Sequence, residues 1–373
     1  MNFLPTATFL TTFFLALLST SFAAAQTTPT RLLIETVAGN GQSGDLTQSS
    51  ASALKSSIDL PFGVEIGPGG ALYITSIGQH RVQRLDLRTG ELASVAGNGA
   101  KGYSGDDGPA NKAQMNEPYE VRFDAHDNMY FVEMQNHLIR RVDATRGTIT
   151  TVAGTGLPGF GGDDGPAHAA QFKQPHSIAL DDRGFIYVAD IGNHRIRRID
   201  TKTGTITSIA GNGARELPRD GAVAQGQPIL GPRALCITGR TLWIALREGN
   251  SIWRMDLDSL VVRHVAGTGK SGYSGDGGPA TLATFNGPKG IAATADGLIY
   301  VVDSENHVVR RIDTRSNKIE TVAGGGPAAR GYQGEKVPAL EAKVDRPHGI
   351  CIAPGGGFYL GDTNNHRVRW THP

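Results

Sequence analysis

Apolar and polar positions alternate in short runs along most of this chain. Between residues 176 and 210 the runs are His176–Asp181, Phe185–Asp190, His194–Asp200 and Thr205–Ala210. Glycine, asparagine and aspartate stand between the runs, and these residues favour tight turns. Alternation with a period of about two residues is typical of half-buried strands. The segment therefore predicts four short antiparallel strands joined by turns.

The same pattern recurs with one period. A Thr-Val-Ala-Gly segment or a near copy marks each unit, and its second position recurs every 56 to 58 residues at Val37, Val95, Val152, Ile209, Val265 and Val322. A proline opens each unit at a similar interval, at Pro61, Pro118, Pro175, Pro232, Pro288 and Pro347. Two markers with one period predict six copies of one structural unit. A repeated four-stranded antiparallel sheet is the blade of a β-propeller.

The two ends of the chain indicate how the ring closes. Arg31–Gly39 matches only the fourth strand of a unit, and Arg367–Trp370 matches only a third strand. The N-terminal strand should therefore complete the last blade, which leaves no large exposed sheet edge. We predict an all-β fold, a six-bladed β-propeller with four antiparallel strands per blade, formed as a single domain by residues 26–373.

The N-terminal segment indicates export. Leu10–Phe22 is an apolar run interrupted only by threonine and serine, and Ala23–Ala25 follow it. A short apolar run before an Ala-x-Ala site is typical of a cleavable secretory signal, and this run falls short of the ~20 apolar residues of a membrane span. We predict a signal peptide at residues 1–25 and a secreted or periplasmic protein with no stable membrane span after cleavage. No Lys or Arg precedes the run, so an uncleaved N-terminal anchor is the alternative.

Charge and cysteine content narrow the function classes. No charged side chain precedes Arg31, so the mature chain keeps the net charge of +1. This balance argues against a nucleic-acid partner, because such domains carry a marked excess of positive charge. Cys236 and Cys351 occupy matching positions in blades 4 and 6. These blades are not neighbours, so we predict buried free thiols rather than a disulfide. We expect a monomer.

The position after each opening proline is the most informative one for function. It should lie where the innermost strand enters the central channel, and it reads Phe62, Tyr119, His176, Arg233, Lys289 and His348. Glu120 stands at the following position in blade 2. A purely structural position tends to be uniform, whereas this one collects aromatic rings, cations and histidines. Such a mouth would attract an anionic or carbonyl-bearing ligand. A solvated rim without a ligand is the alternative.

Two further motifs recur around the ring, and each has a structural and a functional interpretation. Asn-His pairs follow the second strands, where they could bind a metal or fix the turn. Long loops with aspartate, glycine and proline precede three units, at 102–110, 159–167 and 272–280. They could bind calcium or an anion, but they lack the regular ligand spacing of a calcium loop. Because Asp-Gly and Gly-Pro are ordinary turn chemistry, we favour the structural interpretation of both motifs.

The turns resemble a known signature. Gly192–Arg197, Glu305–Arg310 and Asn364–Arg369 are similar to the signature of NHL-repeat propellers, and the resemblance covers residues 31–373. The three aspartate-containing loops are similar to those of bacterial secreted NHL proteins and of the NHL region of teneurins. The resemblance implies the propeller fold. It does not specify a function, because this fold serves scaffolds, binding modules and several enzymes.

A second resemblance suggests a metal. The segments around His176 and His348 look like the zinc-binding segments of the peptidylglycine amidating lyase, another six-bladed propeller, which would make these two histidines metal ligands. Catalytic zinc usually has three protein ligands, but Arg233 and Lys289 stand where a third histidine would be expected. The acidic and Asn residues that hold the axial calcium of gluconolactonase-type propellers are not recognisable.

Two functional hypotheses follow. The first is an exported NHL-repeat propeller that binds a protein or a small anionic ligand through its upper loop face and channel mouth, without a cofactor. The second is a metal-dependent lyase or hydrolase that uses a divalent ion, Zn or Ca, at the central channel. The sequence does not name a ligand or a reaction.

Overall fold

Six antiparallel sheets, each corresponding to one repeat unit, make up the described part of the chain. The computed structural model describes residues 1–2, 32–44 and 50–373, without the side chains of residues 50 and 51. The predicted signal peptide falls almost entirely outside the described residues. It therefore stays a prediction, which N-terminal sequencing of the exported protein would test.

The strands of each sheet run in order from an innermost to an outermost position. The innermost strands of neighbouring blades contact one another and surround the central channel. From innermost to outermost, the strands are Pro61–Ile66, Leu72–Ser76, Arg81–Asp86 and Glu91–Ala96 in blade 1; Pro118–Phe123, Met129–Glu133, Leu138–Val142 and Ile149–Ala153 in blade 2; Pro175–Leu180, Phe185–Asp190, Arg195–Asp200 and Ile206–Ala210 in blade 3; Pro232–Thr238, Thr241–Leu246, Ser251–Asp256 and Val262–Ala266 in blade 4; Pro288–Ala293, Leu298–Asp303, Val308–Asp313 and Lys318–Ala323 in blade 5; and Ile350–Ile352, Phe358–Asp362, Arg367–His372 and Leu33–Ala38 in blade 6.

Short elements in the connecting loops add to this plan. Ser50–Ser52 and Val337–Pro338 are extra strands that pair with the outermost strands of blades 1 and 6 and cover part of their edges. The prediction of four strands per sheet misses these two additions. Single 3₁₀ turns lie at Ala53–Lys55, Pro68–Gly70, Ala110–Lys112, Ala167–Ala169, Ile191–Asn193, Ala280–Leu282, Ser304–Asn306, Pro327–Ala329, Ala339–Glu341 and Thr363–Asn365. None of the helices in the described residues is both long and apolar enough to cross a membrane.

The N-terminal strand closes the ring as predicted. Leu33–Ala38 pairs with Arg367–His372 in antiparallel register, so that Leu33 faces His372 and Ile34 faces Thr371. Ile34 is fully buried in a cluster with apolar residues of blades 5 and 6. The last blade is thus assembled from both ends of the described chain, and the ring cannot complete without this pairing.

Apolar side chains fill the space between neighbouring blades. Ile186 and Val188 of blade 3 pack with Val132, Ile139 and Phe172 from blade 2 and the loop after it. The two tryptophans of blade 4 also belong to the core: both are buried, and each indole N–H donates to a nearby hydroxyl.

The Asn-His turns join the blades. Asn193 fixes its own turn, as predicted, because its Nδ2 donates to Asp190 and also to the Gly159 carbonyl of the preceding loop. The sequence predicts that the histidine also fixes its own turn, but its ring nitrogen instead binds the next blade. His194 Nδ1 accepts the N–H of Gly231, which lies just before the innermost strand of the next blade.

This contact recurs once at every blade boundary in the described structure. The acceptor residue is always in the left-handed backbone region, where His and Asn are better tolerated than most side chains. In blade 4 an asparagine takes the place of the histidine. The six acceptor–donor pairs are His80–Glu117, His137–Gln174, His194–Gly231, Asn250–Gly287, His307–Arg346 and His366–Leu60, with distances of 2.9 to 3.3 Å.

Four arginines of the third strands anchor the long loops. Each is fully buried and lies within 4 Å of a carboxylate at the end of the second strand and of another in the preceding loop. The aspartates of the aspartate-rich loops therefore act as partners of buried cations, which agrees with their structural interpretation. The triads are Arg140–Glu133–Asp106, Arg197–Asp190–Asp163, Arg310–Asp303–Asp276 and Arg369–Asp362–Glu335.

Replacing His194 with alanine should destabilise the ring. The change leaves the Gly231 N–H buried without a partner, which costs about 1–3 kcal/mol, and it forces alanine into the left-handed region at about 1 kcal/mol more. His194→Asn should cost much less, because Asn250 makes the same contact in blade 4. Urea unfolding of the three proteins measures these differences in the free energy of unfolding.

The matched control for that experiment is His126→Ala, since His126 is exposed. Surface changes of this kind usually alter stability by less than about 0.5 kcal/mol. Equal losses in His194→Ala and His126→Ala would show that the blade-to-blade contact contributes nothing.

Candidate functional site

The side chains at the six positions after the opening prolines form a buried ring at the upper end of the channel. We call this set, Phe62, Tyr119, His176, Arg233, Lys289 and His348, the mouth ring. The upper face is the side that carries the long loops and the Asn-His turns. A break in strand register lies just after the opening proline in blades 1 to 5, and such a bulge redirects the side chains next to it. The mouth-ring side chains are only 3 to 9% exposed, so they do not form the solvated rim that was the alternative.

Four members of the mouth ring form one continuous row of aromatic contacts. Phe62 stacks on His348 with 3.8 Å between ring centroids, and it lies 4.6 Å from Tyr119. Tyr119 in turn meets His176 edge-on at 4.8 Å. The row therefore joins blades 6, 1, 2 and 3, whose residues are distant along the chain. It gives four of the six positions of the mouth an aromatic floor.

The remaining two members of the mouth ring are cationic. The Arg233 guanidinium carbon lies 5.3 Å from the centre of the Tyr119 ring, and its Nη1 is buried without a hydrogen-bond partner among the described residues. Burial lowers the pKa of Arg233 to about 10. Lys289 Nζ is 2.6 Å from Glu305 Oε1, yet burial still lowers its pKa to about 8.

Both mouth histidines are held neutral, and the Nε2 atom of each has no hydrogen-bond partner in the part of the chain that the structure describes. His176 Nδ1 donates to the Gln174 carbonyl at 2.6 Å, and His348 Nδ1 donates to the Arg346 carbonyl at 3.0 Å. A carbonyl only accepts, so the proton is on Nδ1 and Nε2 keeps its lone pair. Burial, followed by the nearby cations, lowers the pKa of both imidazoles well below the usual value. Each ring can therefore accept a hydrogen bond or a proton through Nε2.

Glu120 does not join the mouth ring. Its side chain lies between blades 2 and 3, where its Oε2 accepts from Arg122 Nη2 at 2.7 Å and from Ser177 Oγ at 3.3 Å. It acts on Arg233 of the mouth ring electrostatically, without a hydrogen bond to any mouth-ring residue among the described residues. The structure thus brings six of the seven predicted site residues together and places Glu120 in a neighbouring layer.

The two histidines proposed as metal ligands are separated by Phe62 and Tyr119, which stand between them in the aromatic row. Among the described residues there is no group of three or more His, Cys, Asp or Glu side chains that could hold a metal ion. The donor set needed for a zinc or calcium site is therefore not assembled around His176 and His348 in this part of the chain.

Sequence reasoning missed two charged residues at the mouth. Glu305 bridges Lys289 and Arg346, and its two carboxylate oxygens lie 3.0 Å from Arg346 Nε. Hydrogen bonds and ion pairs with these two cations outweigh burial and lower the pKa of Glu305 to about 2. A signal was available, because Arg346 is the only basic residue among the six positions that precede the opening prolines.

Comparison with known families agrees with this architecture. Residues 172–199 and 345–370 match the NHL repeat, and residues 263–326 match the teneurin NHL domain. Protein SUPPRESSOR OF QUENCHING 1 of Arabidopsis thaliana is 27% identical over 75% of this chain and 27% of that protein. NHL repeat-containing protein 2 of Gallus gallus is 26% identical over 81% of this chain and 44% of that protein. The chain therefore spans less than half the length of these relatives.

Solved structures show the same fold at low sequence identity. An auxiliary nutrient binding protein from Bacteroides thetaiotaomicron superposes with a TM-score of 0.68 and 16% identity, over 91% of this chain and 76% of that one. Virginiamycin B lyase from Staphylococcus aureus superposes with a TM-score of 0.54 and 17% identity, over 92% and 99% of the two chains. These structures show the fold alone, and the family-model matches add that three stretches of this six-bladed β-propeller are similar to NHL repeats.

Proposed function

We propose that this protein is an exported binding module whose upper channel mouth holds a ligand with an anionic or carbonyl group. The observation that carries the proposal is Arg233 Nη1, which is buried and has no hydrogen-bond partner among the described residues. A buried guanidinium N–H without a partner costs free energy, and a ligand oxygen above Tyr119 would supply that partner. The remaining mouth residues offer an aromatic floor and two histidine acceptors, which suit a ligand with both apolar and polar parts.

The charges around the mouth favour a ligand that carries an anionic group. Arg233, Arg247, Lys289 and Arg346 all act on the mouth electrostatically. Glu305 pairs with Lys289 and Arg346, whereas Arg233 and Arg247 have no ion-pair partner among the described residues. The mouth therefore carries uncompensated positive charge, which attracts anions and strengthens hydrogen bonds to them.

The loops above the mouth favour one specific ligand over general adhesion. The three aspartate-rich loops are anchored by buried arginines in blades 2, 3 and 5, while the loops entering blades 1, 4 and 6 have other sequences. The upper face is therefore asymmetric. The fold-level likeness to an auxiliary nutrient binding protein supports a binding role outside the cytoplasm, which we propose together with cleavage after Ala25.

A ligand screen tests this proposal. We expect at least one compound from a panel of sugar acids, dicarboxylates and phosphate monoesters to raise the melting temperature, because a ligand bound only to the folded state stabilises it. Arg233→Gln and Lys289→Gln should each weaken that binding roughly tenfold or more, since a charge-assisted hydrogen bond contributes ~1.5–3 kcal/mol. Isothermal titration calorimetry measures the affinities.

The matched control is Arg254→Gln, which removes an exposed arginine of blade 4 and should leave the affinity unchanged. Neutral counterparts of each compound show whether the charge is recognised. Equal affinity in the wild type and in both mouth variants would exclude the mouth as the site.

A lyase or hydrolase is the second candidate, and the neutral histidines favour it. An imidazole with a free Nε2 in a buried site can act as a general base or a metal ligand. The fold is also shared with virginiamycin B lyase. If this candidate is right, the protein purified without chelators should contain about one divalent ion per chain, as catalytic metal sites do.

Elemental analysis of the wild type and of His176→Ala tests the metal-dependent candidate. The variant should lose the ion, while His126→Ala, an exposed histidine, should keep it. A wild-type protein that contains no stoichiometric ion and binds none on addition of zinc or calcium would exclude a metal-dependent enzyme.

A further inference from the structure

A second cavity lies deeper in the channel, below the mouth ring. All six residues four positions after the opening proline line it: Glu65, Arg122, Ala179, Cys236, Ala292 and Cys351. Because the rise is ~3.3 Å per strand residue, this layer lies roughly 10 Å further along the inner strands than the mouth ring. We call this cavity, of about 260 Å³, the lower chamber.

The lower chamber is lined by apolar side chains and by polar groups, and the polar groups supply more of its exposed surface. Leu180, Ile237, Ile291, Ile350 and Ile352 line it together with small alanine side chains. The two cysteines face the same space. Burial raises the pKa of Cys236 to about 12 and raises that of Cys351 as well, so both thiols stay protonated and uncharged at neutral pH. Cys236 is only partly buried because it borders this cavity, which corrects the prediction that both thiols are fully enclosed.

The polar end of the lower chamber has one cation beside two carboxyl groups. Arg122 lies 3.2 Å from Glu65 and 2.7 Å from Glu120, so one cation faces two carboxylates. Arg122 Nη1 and Nη2 also donate to the carbonyls of Val121 and Leu235. The guanidinium is thus occupied by several acceptors, whereas Glu65 receives no hydrogen bond from the described residues and has a carboxylate oxygen to offer the cavity.

We propose that the lower chamber binds a small organic cation, a primary alkylammonium with a short apolar chain. The ammonium would donate to Glu65 in its carboxylate form, and the chain would pack against the isoleucine and leucine walls. This site shares no residue with the mouth ring. Its proposed ligand is a cation, whereas the ligand proposed for the mouth has an anionic or carbonyl group, so the two proposals can fail independently.

The ionisation of Glu65 gives the binding a defined pH dependence. Burial and the nearby Glu120 raise the pKa of Glu65 to about 7, against the lowering effect of Arg122. The cation binds the carboxylate form, so affinity should be weak below this pKa and should reach a plateau above it. From about one pH unit below to about one unit above, the ionised fraction and hence the affinity should rise about tenfold. Arg122, Glu120, Cys236 and Cys351 are the other ionisable groups that act on this carboxylate.

Calorimetric titration with n-butylammonium tests the proposal. Binding is expected to the wild type, with weaker or no binding of n-butanol, which has a similar shape without the charge, and of butyrate, which has the opposite charge. Glu65→Gln should reduce the affinity at least tenfold and remove the pH dependence, since it keeps the shape of the side chain. Preference for butyrate, equal binding of butanol, or full affinity in Glu65→Gln would overturn it.

Two further variants test whether binding of n-butylammonium depends on the space inside the chamber and on Glu65 in particular. Ala293→Leu adds bulk at a partly exposed wall of the chamber without changing its charge, so it should weaken or abolish binding while thermal unfolding shows that the variant is folded. Glu320→Gln removes a carboxylate that pairs with Arg311 on blade 5, away from the channel, and should bind n-butylammonium like the wild type. Absence of binding to the wild type both about one pH unit below and about one unit above the pKa of Glu65 would refute the proposal outright.

Discussion

Each blade of this ring presents a backbone N–H just before its innermost strand, and the preceding blade supplies the acceptor. A buried backbone donor without a partner costs as much as a lost hydrogen bond or more, and the Gly231 N–H is such a buried donor. A histidine or asparagine in the left-handed region is the acceptor at all six boundaries. The last of these contacts, between His366 and the Leu60 N–H, joins blade 6 to blade 1 at the point where the ring closes. The orientation of every innermost strand, and so the geometry of the channel, depends on this repeated contact.

The buried arginines impose a similar constraint on the upper face, because they too need partners. A fully buried guanidinium must be paired, or its desolvation is not offset. In blades 2, 3, 5 and 6 the third-strand arginine reaches both a second-strand carboxylate and one in the long loop. Loops that could otherwise move are thereby fixed to the core of the blade. The sequence difference between these loops then becomes a stable difference in shape, which a ligand can recognise.

The repeated contacts described above lie outside the channel. The side chains that line the channel can therefore differ from blade to blade. The mouth ring combines an aromatic row with an arginine whose Nη1 has no hydrogen-bond partner among the described residues, and the lower chamber combines Glu65 and Arg122 with aliphatic side chains. The two layers therefore differ in the chemistry that they offer along one axis. Inner strands also approach closely between these layers. A Cβ at Gly349 would lie 2.1 Å from the Phe62 carbonyl, so only glycine fits there and the two sites stay separated by tightly packed backbone.

The sequence by itself determined the number of blades, the strand order within each, the closure by Leu33–Ala38 and the six mouth-ring positions, because all of these follow from one repeat period and its two ends. It also identified the aspartate-rich loops as structural. Only the tertiary structure decided that the mouth ring is buried, that Phe62 stacks on His348, that Glu120 lies outside it, and that Glu65, Arg122 and both cysteines share one cavity. The physical reason is distance along the chain. These contacts join residues of different blades, so they exist only after the ring has closed, and local patterning carries no information about which side chains then meet across the channel.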